Sequence, residues 1–207
     1  MSSKGKFLVL EGIDGSGKGT VLKAIESYFV LKSVPYISVK DPGHTKIGED
    51  IRSILLDSKN TEMCRETELS LYIAARAQLN SQVIKPSLEA GMTVICDRYD
   101  LSTFTYQYVL GEWDSMDEIL NASTILENLP QPDWYFVLDV PVEVARQRLG
   151  SDLDRLEKNS DNAFNKIRDR YLYYSRLWHN VSLIDASKDQ ERVASDTISE
   201  IEKIMKM

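Results

Sequence analysis

Three glycines and a lysine carry the first chemical signal in this chain. In the run FLVLEGIDGSGKGT, Phe7 to Thr20, residues Gly12, Gly17 and Lys18 meet the spacing G-x-x-x-x-G-K of a phosphate-binding loop. Gly12, Gly15 and Gly17 lack a Cβ, so the backbone can turn its N–H groups inward around phosphate oxygens. The expected contacts run through Gly12, Ile13, Asp14, Gly15, Ser16, Gly17, Lys18, Gly19 and Thr20. Lys18 would reach the terminal phosphates as a point charge. A glycine-rich turn without a ligand is the competing reading, and the agreement of loop, lysine and flanking pattern weighs against it.

A second cluster lies in Thr93 to Gln107, TVICDRYDLSTFTYQ. TVIC reads as a buried strand with Asp97 at its end, where proteins with such a loop keep the acid that organises Mg²⁺, directly or through water. Arg98 follows, and a planar guanidinium there can hold two phosphoryl groups together. Thr20 and Asp41 are further candidates for the metal. The position after Lys18 usually carries a hydroxyl for the metal and is Gly19 here; adenylate kinases share this G-K-G-T form.

These residues need elements to position them. Candidate strands are 6–10, 36–39, 93–96, 134–140 and 182–184. Helical patterns lie near 18–31, 46–56, 66–89, 101–109, 115–128, 142–149, 161–178 and 189–206. Short apolar strands alternating with helices predict an α/β fold with a five-stranded parallel sheet flanked by helices. Ligands of such sheets sit beyond the carboxyl ends of the strands. The polar stretch GSDLDRLEKNSD, 150–161, interrupts the pattern and reads as a short lid within a single domain of 1–207.

Composition narrows the function. A net charge of −7 argues against nucleic acid as a partner through bulk charge. No apolar run approaches the ~18 residues of a membrane span. Cys64 and Cys96 are the only cysteines and have no zinc-site neighbours. MSSKGK leads directly into the first strand without a signal-peptide pattern, so a cytoplasmic protein is expected.

Motifs in order along nearly the whole chain resemble the bacterial type of thymidylate kinase, a P-loop nucleoside monophosphate kinase family. Gly12–Thr20 is similar to that family's G-[IL]-[DE]-G-[AS]-G-K-T-T, and Asp41-Pro42-Gly43 to its R-E-P-G-G. Ile51–Leu56, Leu71–Arg76 and Asp97–Gln107 resemble L-R-x-L-L-L, L-x-F-x-A-x-R and D-R-[YH]-x-x-S-x-x-A-Y-Q. Asp154–Glu157 resembles the lid's D-R-x-E, and Ile184–Ser187 the late I-D-A-S turn.

The resemblance implies a three-layer P-loop NTPase fold, ATP with Mg²⁺ as donor, dTMP as acceptor, and a homodimer packed through long helices such as 67–88. Tyr72 would stack on the base, Arg76 would donate to a base carbonyl, and Thr103 and Gln107 would reach its N3 edge. Tyr106 would pack on the sugar, Asp14 would hold the 3′-hydroxyl, and Arg52 and Arg98 the acceptor phosphate. Ser16 stands in the loop where other branches carry arginine, so the lid should supply the catalytic cation, Arg155 first and Arg148 next. Arg146 and Arg148 would lie on the donor nucleotide, with Asp185 and Ala186 along the adenine.

Departures qualify this picture. Lys40, Asp41 and His44 replace the usual arginine, glutamate and second glycine, and YVLGEWD follows Gln107 without an arginine. The lid is short of arginines. A broader acceptor range, such as dUMP or 5-substituted dUMP, is one alternative. Another is a P-loop nucleotide-binding protein without catalysis, although the N-K-x-D of guanine-specific switches is absent.

Overall fold

The computed structural model describes residues 5–113, 115, 118–119, 129–151 and 153–206. Phe7–Glu11 forms β1, buried at every position, because an uninterrupted apolar run suits a strand covered on both faces. Tyr36–Lys40 is β2, Thr93–Asp97 is β3, Trp134–Asp139 is β4 and Val181–Asp185 is β5. All neighbours pair in parallel in the order β2-β3-β1-β4-β5. The sheet and flanking helices are the predicted α/β architecture.

β1, β2, β3 and β5 run one residue further than the apolar pattern predicts, and each ends on a charged side chain: Glu11, Lys40, Asp97 and Asp185. Ladder pairing continues past the hydrophobic boundary, so Leu10 still faces Asp97 and Asp97 faces Lys40. β4 stops one residue earlier than expected, at Asp139. The strand ends therefore gather charge at one edge of the sheet.

The helices are α1 (Lys18–Leu31), α2 (Lys46–Leu56), α3 (Arg65–Leu79), α4 (Lys85–Glu89), α5 (Asp100–Ser102), α6 (Tyr108–Leu110), α7 (Val142–Arg148), α8 (Asp161–Leu177) and α9 (Gln190–Met205). Side chains cap three of them: Thr45 accepts from Gly48 N, Ser160 from Ala163 N and Asp189 from Arg192 N. α1 has Gly17 at its N-cap and no side-chain cap, which leaves its first N–H groups facing the loop.

Two expected helices are not regular. The run 66–89 passes through a π turn at Asn80–Ile84, just before Pro86. The run 101–109 contains a second π turn, Thr103–Gln107, in which all five residues are buried. Regular 3.6-residue spacing would send part of that run to solvent. The expected helix at 115–128 lies mostly outside the described residues.

Candidate active site

The glycine loop joins β1 to α1 and crosses close to two other backbones. Gly12 and Gly15 have φ of 137° and 79°. A Cβ at Gly12 would fall 2.6 Å from Leu138 O, and one at Gly15 2.3 Å from Ala145 O. Only glycine fits either place. Lys18 is 8% exposed and folds back over the loop, donating from Nζ to Gly12 O and Ile13 O, each at 3.1 Å. Ile13 itself is core, so it offers the site its backbone alone.

Burial lowers the Lys18 ammonium to about 8, Arg98 adds to the shift, and Asp97, Asp14 and Glu11 oppose it. Incoming phosphates favour the charged form. A nucleoside triphosphate is therefore expected to bind more weakly as pH rises from 7 to 9, and to take up roughly half a proton at pH 8. Calorimetry in buffers of different ionisation enthalpy checks this. Uptake that persists in Lys18→Met would show that another group titrates.

On one side of the loop lies a cavity. Asp14, Arg52, Tyr72, Arg76, Arg98, Thr103, Tyr106 and Gln107, all predicted for the acceptor, line it together. α3 supplies Tyr72 and Arg76 from one helix face, four residues apart. The π turn supplies Thr103, Tyr106 and Gln107. Arg52 reaches in from α2, its Nη1 donating to Pro42 O at 3.0 Å.

Arg98 follows β3 in the left-handed region, with φ of 68°. Its Nη1 donates to Gly12 O at 2.8 Å and Ser102 Oγ at 3.2 Å, and its Nη2 to the Asp14 carboxylate. The guanidinium lies 4.9 Å from the Tyr106 ring centroid, and the Tyr106 hydroxyl donates to Asp14 Oδ2 at 2.8 Å. Burial pushes Asp14 up, but Arg98 and Lys18 outweigh it and hold the carboxyl below its ordinary value.

Behind this group sits Glu11, just past the expected strand 6–10 and not among the expected site residues. It is fully buried and accepts from Tyr99 N, Ser102 N, Ser102 Oγ and the Tyr171 hydroxyl, at 2.9, 3.1, 2.6 and 3.0 Å. Burial raises it to about 7, against those donors and Arg98. A carboxylate closing an otherwise apolar strand was the available signal. Ser102 and Tyr171 gave none, because a hydroxyl on a helix is common.

Arg76 is 1% exposed and committed to protein partners. Nε donates to Asp41 Oδ2 at 2.5 Å, and Nη2 to Tyr99 O at 3.0 Å and Thr103 Oγ1 at 2.8 Å. Nη1 is buried with no partner, leaving one donor at the cavity wall. Asp41 holds one oxygen, Oδ2, in this buried ion pair, and its Oδ1 is buried with no partner. Thr20 lines a second cavity on the other side of the loop. Asp97 Oδ1 is likewise buried without a partner, so Asp41 and Asp97 each keep one hard oxygen that could meet Mg²⁺ completed by phosphates. Among the described residues no group of three or more His, Cys, Asp or Glu gathers to hold a metal alone.

The second cavity is lined by Ser16, Gly17, Thr20, Arg148, Ala186 and Lys188 among others. Arg148 donates from Nη1 to Ala186 O at 3.0 Å, and the same nitrogen lies 4.0 Å from where a Gly17 Cβ would be. It is the arginine after β4 that stands beside the loop. Asp185 does not line this cavity; it is exposed and accepts from Ser187 N and Oγ in its own turn.

The other two arginines stand elsewhere than expected. Arg146 donates to Asp161 Oδ1 at 2.9 Å, to Glu157 O at 2.5 Å and to Asn159 O, with its guanidinium over Phe164. It ties the 150–161 segment to α8 and does not face the second cavity. Arg155 donates to Leu55 O at 2.8 Å and to Glu68, and it lines neither cavity.

Comparison with known proteins follows the same lines. The family model described as thymidylate kinase matches residues 10–197. A thymidylate kinase of Thermosipho africanus is 37% identical over 198 residues, covering 95% of this chain and 98% of its own. That of Buchnera aphidicola is 39% identical, covering 92% and 91% respectively. That of Ligilactobacillus salivarius is 36% identical, covering 98% and 100%.

Proposed function

This chain belongs to the thymidylate kinase family, and from that premise we infer that it transfers the γ-phosphoryl group of ATP to dTMP, giving dTDP and ADP, a step toward dTTP. The observation that carries this reading is the convergence of eight acceptor-type side chains on one cavity that shares Asp14 and Arg98 with the glycine loop. Tyr72 offers a ring to the flat base. The unpartnered Nη1 of Arg76 can donate to a base carbonyl, and Gln107 reaches the base edge beside Thr103. Tyr106 and Asp14 meet the sugar, and Arg52 and Arg98 meet the acceptor phosphate.

On the donor side, Lys18 leaves the loop carbonyls for the phosphates, and the uncapped N–H groups of α1 hold their oxygens. Arg98 and Arg148 flank the line between the two phosphates and stabilise the charge that spreads over the moving group. The acceptor oxygen is already anionic at neutral pH, so no strong general base is needed. Mg²⁺, when bound at Asp97, would neutralise the donor oxygens.

We place the enzyme in the cytoplasm as a homodimer, the whole chain acting as one catalytic unit. Both cysteines are free, and among the described residues no helix is long and apolar enough to cross a membrane. A coupled ADP-release assay with dTMP, dUMP, dCMP, dGMP and AMP tests the activity. We expect turnover on dTMP, stopped by EDTA, from a species of twice the chain mass. Preference for another acceptor, or turnover indifferent to EDTA, would overturn the corresponding part.

A further inference from the structure

The segment Asp154–Glu157 is a rigid turn. Asp154 Oδ1 accepts from Leu156 N at 2.8 Å and Glu157 N at 2.9 Å, and Glu157 Oε2 accepts in return from Asp154 N at 3.0 Å. The turn divides its side chains. Asp154 and Leu156 line the acceptor cavity together with Leu56 and Tyr72, while Arg155 lines no part of it. Arg155 instead reaches the end of α2. Its backbone N donates to Leu56 O at 3.3 Å and its Nε to Leu55 O at 2.8 Å, satisfying carbonyls that a helix C-terminus leaves free. Its Nη2 meets Glu68 Oε2 on α3. The other oxygen of Glu68 accepts from Gln107 Nε2 at 3.1 Å.

One carboxylate thus joins the lid turn, the helix of Tyr72 and Arg76, and the base-reading Gln107. The pair is mostly buried, with side-chain exposures of 19% for Arg155 and 10% for Glu68, so neither charge is well solvated without the other.

We propose that Glu68 and Arg155 form a latch that seats the lid turn as a wall of the acceptor cavity, making both positioning residues for dTMP. The latch holds Leu156 and Asp154 against the nucleotide and keeps the Gln107 amide aimed. Arg155 acts through this wall and does not touch the transferring phosphoryl group. The proposal rests on the dTMP kinase reading above.

The test is steady-state kinetics of Arg155→Ala, Glu68→Ala, the double variant and Arg155→Lys, varying dTMP and ATP separately. Each single alanine is expected to raise KM for dTMP about tenfold, with KM for ATP within about twofold and kcat within about threefold of the parent. Unchanged ATP kinetics show that the variants fold. The double variant should be no worse than the worse single, because both remove one interaction. Arg155→Lys keeps the charge near Glu68 and should recover most of the dTMP affinity. A roughly hundredfold loss of kcat in Arg155→Ala with KM for dTMP unchanged would make Arg155 catalytic and overturn the latch. Unchanged dTMP KM in all variants, or single effects that multiply in the double, would overturn it as well. If the parent chain turns over no dTMP, the dTMP kinase reading itself fails, and the latch with it.

Discussion

Alanine in place of Arg98 should lower kcat by about a thousandfold, the scale on which a phosphoryl-transfer arginine acts. The side chain holds a position no other cation can take. It grips the loop at Gly12 O, the acid at Asp14 and the hydroxyl side at Ser102, and stacks along Tyr106. Each Nη atom bonds one loop residue, Gly12 or Asp14, and one residue of the acceptor cavity, Ser102 or Tyr106, so charge forming between the phosphates meets a guanidinium already in place. The left-handed backbone at this residue is part of that aim. Arg98→Lys should recover little, because an ammonium cannot occupy both sides of a fork at once. The measurement is kcat under saturating ATP and dTMP, with circular dichroism to confirm the fold. Activity of Arg98→Ala within about tenfold of the parent would remove Arg98 from the centre of the mechanism and leave Arg148 as the principal cation.

The parts legible in the sequence were those whose chemistry is written in local spacing. Glycines at 12, 15 and 17 and the following lysine specify a loop whatever surrounds it. Buried strands of a parallel sheet read as apolar runs, so β1 to β5 were visible, though the charged last residues of β1, β2, β3 and β5 fell outside the pattern, since pairing does not require hydrophobicity. The acceptor positions were legible only through family motifs, because Tyr72 and Thr103 carry no spacing signal of their own.

What escaped were long-range side-chain partnerships. Glu68 looks like any acid in the first turn of a helix, yet its two partners lie 39 and 87 positions away. The same holds for Glu11 and Tyr171, 160 positions apart. The π turn at 103–107 changes which residues face inward, and periodicity assumes the regular helix. The family resemblance implies nucleotide contacts for Arg146 and Arg155, but carbonyls at helix and loop ends compete for the same guanidinium donors.

Asp41 is the position where this competition has the largest energetic consequence. Reading it as a metal ligand predicts that Asp41→Ala folds like the parent and regains turnover at high Mg²⁺. The structure predicts otherwise. Asp41 is 2% exposed and its Oδ2 pairs with an arginine 1% exposed. Removing the carboxylate leaves a buried guanidinium with Tyr99 O and Thr103 Oγ1 as acceptors and the Asp100 carboxylate as its remaining nearby counter-charge. Breaking such a pair by deleting one partner costs about 3–5 kcal/mol, because the surviving charge loses the carboxylate bonded to it. Asp41→Ala should therefore lose most of a small domain's stability margin in urea unfolding, and Mg²⁺ should not restore it. Adding Arg76→Met removes the stranded charge and should return a large part of the stability, since the two sites share one interaction. That double variant should still fail to bind dTMP well, having lost the free Nη1 at the cavity wall. Recovery of fold without recovery of dTMP affinity would separate the two duties of Arg76: holding β2 and β3 to α3 through Asp41, and reading the base. An Asp41→Ala variant as stable as the parent would instead mean that the buried pair is electrostatically neutral to folding, and that the carboxylate is free for another ligand.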